Sequence, residues 1–222
     1  MQKRSNLCKA CEMYVQLAWG RTRPGAWNTL RDFYVDKVIP FTMGMPGLQE
    51  RQLWRGASDP DEMGFWSVWS SLQELRNYET SEARRQLANE AEDFFFPMAY
   101  PRGETWIKHF EIVSVAGSGS TDGAYLMTAW GKLRLGSWDQ YERYYRDQVL
   151  DSTASVEGLR QRMLLRSTED PDEGVSVSVW DSEKALLQYE RSELRRNIAQ
   201  EVENLYRGEF WVKHFEVTDT NQ

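Results

Sequence analysis

The chain contains one sequence pattern twice, and this repeat constrains its fold more than any other feature. Trp19-Gly20 recurs as Trp130-Gly131, and the tetrad that begins at Asp59 recurs at Asp170, both at an offset of 111 residues. Near the end of each copy the offset falls to 105, because the first copy carries six extra residues between positions 91 and 101. A repeat of fixed period indicates two copies of one structural unit.

Each copy predicts the element order β-α-β-β-α-β. Short apolar runs predict strands, and aromatic residues at helical spacing, such as Trp27 and Tyr34, predict the first helix. In the first copy the predicted strands are 14–20, 48–55, 65–69 and 106–113, with one long second helix that begins after Ser71. In the second copy Ser137 and Gln140 predict a capping box at the start of the first helix. This order is typical of a ferredoxin-like unit.

A ferredoxin-like unit covers only one face of its sheet with helices, so the other face needs a partner. A second copy in the same chain supplies that partner at high effective concentration. The predicted fold class is therefore α+β, with two ferredoxin-like repeats packed sheet to sheet as an intrachain dimeric α+β barrel. The predicted divisions are an N-terminal extension over 1–13, a first repeat over 14–115, a linker over 116–123 and a second repeat over 124–222.

Composition and charge exclude several classes of function. The net charge of -7 argues against a nucleic-acid partner, whose phosphates need clustered Lys and Arg. No apolar run reaches the ~20 residues of a membrane span, so no membrane partner is predicted and the expected location is cytoplasmic. Cys8 and Cys11 lack a second cysteine pair and precede the first strand, which favours an ordinary extension over a metal or redox site.

Two local motifs resemble a known family. The second strand begins with Pro46-Gly47-Leu48, matched by Glu157-Gly158-Leu159, and a Trp at the end of the third strand precedes a tyrosine by nine positions in both copies. These motifs, at Trp69 with Tyr78 and at Trp180 with Tyr189, resemble the antibiotic biosynthesis monooxygenase (ABM)-like domains of the dimeric α+β barrel superfamily. The resemblance implies a cofactor-independent monooxygenase that acts on a small aromatic or polyketide-like compound. The alternative is a non-catalytic barrel that binds a small ligand or serves a structural role.

The sequence departs from the family where a cofactor would bind. Many ABM-like domains carry His where Tyr78 and Tyr189 stand, and the haem-degrading members use a His further along the second helix as axial ligand. Here the two histidines, His109 and His214, lie on the last predicted strands. We therefore expect no haem, no other cofactor and no metal.

The candidate site residues are the polar and aromatic positions that recur in both copies. The catalytic candidates are His214, His109, Arg162 and Arg51, and the substrate-binding candidates are Trp138, Tyr145, Trp180, Tyr189, Trp27, Tyr34, Trp69 and Tyr78. Three structural alternatives stay open: core packing for the aromatic residues, pairing with a strand carboxylate such as Glu111 for the histidines, and salt bridges to Glu for the arginines.

The two copies differ in ways that predict unequal cavities. Trp54 and Trp66 in the first copy become Leu165 and Val177 in the second, so we expect the roomier space between helices and sheet in the second copy. The run Phe94, Phe95 and Phe96 near the extra segment of the first copy predicts either a lid or, preferably, a surface for self-association.

Overall fold

The computed structural model describes residues 12–95 and 106–221, apart from the side chain of Glu209. Cys8, Cys11 and Phe96 lie outside this part of the chain, so the predictions about them stay predictions. The first unit consists of β1 (Tyr14–Arg21), α1 (Trp27–Phe33), a π-helical turn (Tyr34–Val38), α2 (Ile39–Thr42), β2 (Leu48–Gly56), β3 (Glu62–Trp69), α3 (Leu72–Glu79), α4 (Glu82–Ala91), a 3-10 turn (Glu92–Phe94) and β4 (Trp106–Gly117).

The second unit repeats this order. It consists of β5 (Tyr125–Leu133), α5 (Trp138–Tyr144), a π-helical turn (Tyr145–Val149), α6 (Leu150–Thr153), β6 (Leu159–Ser167), β7 (Glu173–Trp180), α7 (Glu183–Glu190), α8 (Glu193–Glu203) and β8 (Tyr206–Asn221). The predicted linker begins later than expected, since Ala116 and Gly117 belong to β4 and pair with Arg162 and Gln161 of β6.

The eight strands form one closed antiparallel barrel in the order β1-β3-β2-β8-β5-β7-β6-β4. Within each unit the order is that of a ferredoxin-like sheet. Between units, β2 pairs with β8 and β4 pairs with β6, so each last strand is added to the edge of the other sheet. Closure removes the unpaired edges that two separate sheets would leave. The predicted α+β barrel made of two repeats is confirmed.

The barrel interior is an apolar core to which both units contribute. Alternate residues of each strand face inward, as period-two geometry requires. Trp54 and Trp66 pack there at a ring distance of 5.3 Å, in the same cluster as Leu165 and Val177. The prediction that these four residues set the size of the helix-side cavities was therefore wrong, because they point to the opposite face of the sheet.

Two details of the helices differ from the sequence prediction. The long second helix of each unit is two helices, because Ser81 and Ser192 each start a new one by accepting a hydrogen bond from a backbone N–H. The predicted capping box at Ser137 does not form, since its side chain makes no cap hydrogen bond. The Asp172 carboxylate instead accepts hydrogen bonds from the backbone N–H groups of Gly136 and Trp138.

Four tryptophans from both units lie close together. Trp19, Trp106, Trp130 and Trp211 lie with neighbouring ring centroids 5.8–6.4 Å apart. The Lys213 ammonium of the second unit pairs with Glu62 of the first, and Lys108 of the first unit pairs with Glu173 of the second. These ion pairs and rings tie the units together at the interior of the barrel. Within the described residues, no helix has the length and apolarity that crossing a membrane would require.

Candidate functional site

In each unit a cavity lies between the helices and the outer face of the sheet. The second-unit cavity has a volume of about 460 Å³, and its wall includes Tyr145, Arg162, Ser176, Tyr189 and Tyr206. The first-unit cavity has a volume of about 240 Å³, and its wall includes Gln16, Arg51, Phe65, Tyr78 and Phe95. The larger volume lies in the second unit, as the sequence comparison of the two copies predicts.

The most unusual group of the second-unit cavity is the buried guanidinium of Arg162. This side chain is 4% exposed, and its Nε and Nη2 atoms have no hydrogen-bond partner among the described residues. Its Cζ lies 4.9 Å from the centre of the Tyr189 ring, a cation–π distance. Burying a charge without a hydrogen-bonded partner is costly, so this cavity favours an anionic ligand.

Arg51 occupies the same place in the first unit. It is 5% exposed, its Nε and Nη2 atoms also have no partner among the described residues, and its Cζ lies 4.6 Å from the Tyr78 ring centre. Salt bridges to Glu were the structural alternative for these arginines. The ion pairs within the described residues include neither arginine, so this part of the chain gives that alternative no support.

The neighbouring arginines on the same strand faces are satisfied without a carboxylate. Arg55 donates through Nε to the carbonyl of Pro60 and lies over the Trp27 ring, and Arg166 donates to the carbonyl of Pro171 and lies over Trp138. They are therefore matched controls for Arg51 and Arg162.

The tyrosines of the second-unit cavity bring hydroxyl groups close to Arg162. Burial raises the pKa of Tyr145, and the charge of Arg162 together with hydrogen bonds from Ser176 and Arg162 opposes this only in part. Burial also raises the pKa of Tyr141 and Tyr206. The Tyr145 hydroxyl donates to the carbonyl of Met163 at 3.1 Å and accepts from Ser176 at 3.4 Å, while the buried Tyr189 hydroxyl has no partner among the described residues.

One pair of equivalent positions contributes to the difference in size between the cavities. Phe65 on β3 fills part of the first-unit cavity, where it stacks on Tyr34 at 5.6 Å and meets the Phe95 ring at 6.5 Å. Ser176 stands at the equivalent position of β7 in the second-unit cavity. A seryl side chain leaves open the space that a phenyl ring fills.

The structure brings together only some of the predicted binding residues. Tyr145 and Tyr189 line the second-unit cavity and Tyr78 lines the first, whereas the other five aromatic candidates lie outside both walls. Trp180 and Trp69 stack behind Tyr189 and Tyr78, at ring distances of 4.9 and 5.2 Å. The remaining three pack in the outer cores between helices and sheet: Trp27, Tyr34 and Trp138.

The two histidines also lie outside both walls. His109 contacts Glu79 through Nε2 at 2.8 Å and Glu169 through Nδ1 at 2.6 Å, so its partners come from α3 and from the β6–β7 turn and not from Glu111. His214 Nε2 lies 3.2 Å from Glu190 without the geometry of a hydrogen bond. A structural role fits His109, and neither histidine reaches a cavity as a base.

Sequence reasoning missed several wall residues. Ser176 alternates with valines on a strand and Met127 replaces Gln16, and neither residue type signals a site on its own. The usable signal was the comparison of equivalent positions, which pairs Phe65 with Ser176. Among the described residues, no group of three or more His, Cys, Asp or Glu side chains is arranged to hold a metal.

The phenylalanines at the end of α4 pack inside their own unit. Phe94 meets the Phe33 ring at 5.4 Å, and Phe95 contacts Phe65 and lines the first-unit cavity. Both are half-buried. Their contacts resemble the lid more than the free surface, and self-association through this segment stays a prediction.

Part of the second unit matches a known protein family. Residues 132–201, which include Tyr145, Arg162, Ser176 and Tyr189, match the family model described as antibiotic biosynthesis monooxygenase. No curated protein matches the sequence significantly.

Several solved structures share the whole fold. A candidate monooxygenase from Fusobacterium nucleatum has a TM-score of 0.73 at 8% identity, over 94% of each chain. An anthrone oxidase-like protein has a TM-score of 0.74 at 14% identity, over 96% of this chain and 94% of its own. A heme-degrading enzyme from Listeria monocytogenes has a TM-score of 0.54 at 13% identity, over 92% of this chain and 99% of its own. At these identities the likeness shows the fold alone. Residues 132–201 therefore match the ABM family, and the whole chain has the dimeric α+β barrel fold, built from two ferredoxin-like repeats.

Proposed function

We propose that the protein is a monooxygenase of the ABM type that needs no bound cofactor. Its substrate is a small aromatic or polyketide-like compound that binds in the second-unit cavity as an anion. The observation that carries this proposal is the buried, unpaired Nε and Nη2 edge of Arg162 beside a cavity of about 460 Å³. That volume lies within the roughly 300–1,000 Å³ of ordinary small-molecule sites.

The chemistry requires a substrate that supplies its own electrons. A carbon next to a phenol or carbonyl loses a proton, and the resulting carbanion transfers an electron to O₂. The substrate radical and superoxide then combine and take up a proton to form a hydroperoxide, which loses water to leave a ketone. One oxygen atom ends in the product and the other in water, so no external reductant is consumed.

The side chains of the cavity fit the roles that this reaction needs. The Arg162 charge stabilises the phenolate or enolate oxygen, which lowers the pKa of the bound substrate. The neutral tyrosine hydroxyls orient the ring by hydrogen bonds. Among the described residues of the wall, the one carboxylate is Glu203, an exposed residue, so we place proton release at the outer rim.

Oxygen uptake tests the proposal directly. Wild-type protein is incubated with a panel of anthrones, naphthols and quinols, and isotopically labelled oxygen is traced into product and water. We expect Arg162→Met to lower kcat/KM about a hundredfold, the usual loss for one group that stabilises an oxyanion. Arg166→Met, the matched control, stays within about twofold of wild type because Arg166 is already paired with a backbone carbonyl.

The same experiment separates the enzyme from the non-catalytic alternative. If ligands bind and Arg162→Met weakens them, but no panel member consumes oxygen, the protein is a ligand-binding barrel. If Arg162→Met leaves both binding and turnover unchanged, the second-unit cavity is not the site.

A further inference from the structure

We propose that the first-unit cavity is a second ligand site, and that it takes a small carboxylate carried on a single aromatic ring. This site is separate from the proposed oxidation site and requires no chemistry. The proposal is based on Arg51, a buried residue of the cavity wall whose Nε and Nη2 atoms have no partner among the described residues. The cavity is also too small for the larger ligands proposed for the second unit.

The carboxylate specificity follows from the atoms of Arg51 that have no partner. Nε and Nη2 form one edge of the guanidinium, with two parallel N–H donors, and this edge matches the two oxygens of a carboxylate. The same edge of Arg31 shows this pairing within the chain, since its Nε and Nη2 donate to the two oxygens of Asp219 at 2.8 and 3.0 Å. Arg51 has the donors but lacks the acid.

The acidic side chain beside this cavity is already engaged. Gln16, a wall residue, donates to Glu79 at 2.6 Å, and the same Glu79 oxygen lies 2.8 Å from His109 Nε2. Burial alone would raise the pKa of Glu79, but the hydrogen bonds from His109 and Gln16 outweigh it and leave the pKa lowered. Glu79 is therefore a partnered anion that does not occupy the edge of Arg51.

The size of the ligand follows from the walls. The cavity volume of about 240 Å³ lies below the roughly 300–1,000 Å³ of drug-sized ligand sites. Phe65 and Phe95 take up space on one side, and the Tyr78 ring lies against Arg51 on another. An apolar wall with one fork of donors suits a benzoate-like molecule, whose ring is flat and whose charge is at one end.

Titration calorimetry with benzoate tests the site. The full-length Arg162→Met variant is used throughout, so that the second-unit cavity has lost its own charged edge. We expect one benzoate per chain, with neutral benzamide at least about tenfold weaker, because each hydrogen bond to a charged group is worth that much or more. Adding Arg51→Met weakens benzoate at least about tenfold, while adding Arg55→Met leaves the affinity within about twofold.

A second pair of variants blocks the cavities without touching either arginine. Ala88 on α4 and Ala199 on α8 are equivalent positions that line the first-unit and second-unit cavities respectively. We expect Ala88→Phe to abolish benzoate binding and Ala199→Phe to leave it unchanged. Phe65→Ser, which copies the serine of the second unit, is expected to admit a two-ring naphthoate that the parent variant rejects.

Three results would overturn the proposal: no heat of binding up to about 10 mM benzoate, equal affinity for benzamide, or benzoate binding that survives both Arg51→Met and Ala88→Phe. None of these results depends on oxygen uptake. If the protein has no monooxygenase activity, the proposal of a benzoate site is unaffected. If it does not bind benzoate, the proposed monooxygenase activity is unaffected.

Discussion

Among single residues, Arg51 and Arg162 stand out because each is buried with its Nε and Nη2 atoms unpaired among the described residues, an arrangement that costs stability. The sequence placed both arginines on one strand face, but not their burial, because burial depends on how α4, α8 and the π-helical turns cover the sheet. With many glutamates in the chain, a salt bridge was the natural expectation. In the structure Arg162 lies against the Tyr189 ring and shares the cavity wall with Tyr141, Tyr145 and Tyr206, which carry no negative charge to neutralise it.

Replacing Arg162 should therefore make the empty protein more stable. Arg162→Met removes a buried guanidinium whose Nε and Nη2 atoms have no partner among the described residues, a cost of about 1–3 kcal/mol, and gives up a cation–π contact of about 1 kcal/mol. We expect the free energy of unfolding in urea to rise by about 1 kcal/mol. Arg166→Met, which loses a hydrogen bond and a cation–π contact, should lower it instead. A less stable Arg162→Met protein would mean that the guanidinium is already neutralised in the native state.

At the scale of elements, the Asp-Pro-Asp-Glu tetrads do more than turn the chain. The sequence predicted a capping box at Ser137 from local spacing. The cap comes from Asp172 instead, 34 positions away along the chain from Trp138. A local pattern cannot show such a contact, because it depends on the β6–β7 turn lying against the start of α5. Glu173, which directly follows this turn, accepts a hydrogen bond from Nε1 of Trp130 at 2.6 Å.

Asp172 is therefore expected to stabilise the helix that carries Tyr141 and leads to Tyr145. Asp172→Ala removes the acceptor for two backbone N–H groups in a buried setting and should lower the free energy of unfolding by about 1–2 kcal/mol. The matched change is Asp61→Ala in the first unit, where the carboxylate accepts from Gly25 alone at 3.3 Å and the loss should be smaller. Equal losses in urea unfolding would contradict the assignment of the cap to Asp172.

At the scale of the whole molecule, the repeat was sufficient to predict a barrel of two units but not the way the barrel closes. Nothing in the periodicity shows that β4 and β8 extend to pair with the other unit, or that the Lys108 and Lys213 ammonium groups cross over to Glu173 and Glu62. The two ion pairs join residues that are 65 and 151 positions apart in the sequence. Strand pairing and ion pairs therefore join the two units at specific positions.

The contribution of one contact between the units, that of His109, to stability should depend on pH. His109 joins Glu79 of the first unit to Glu169 of the second, and the hydrogen bond to Glu79 is the main reason that its pKa is raised. Because the pKa of His109 is raised in the folded state, its protonation stabilises the folded protein. This stabilisation is complete below the unfolded pKa of about 6.5 and is lost as the pH rises through the folded pKa. The lowered pKa of Glu79 acts in the opposite direction, so its share is present above about pH 4.3 and is lost as pH falls through the folded value.

We therefore expect the stability difference between wild type and His109→Gln to be largest between about pH 5 and 6.5 and to shrink toward about pH 9. Urea unfolding across this range measures the difference. His214→Gln is the control, because His214 approaches Glu190 without a well-formed hydrogen bond and contacts no second carboxylate among the described residues, and its effect should be smaller. A wild-type advantage that stays constant or grows as the pH rises would show that protonated His109 does not hold the two units together.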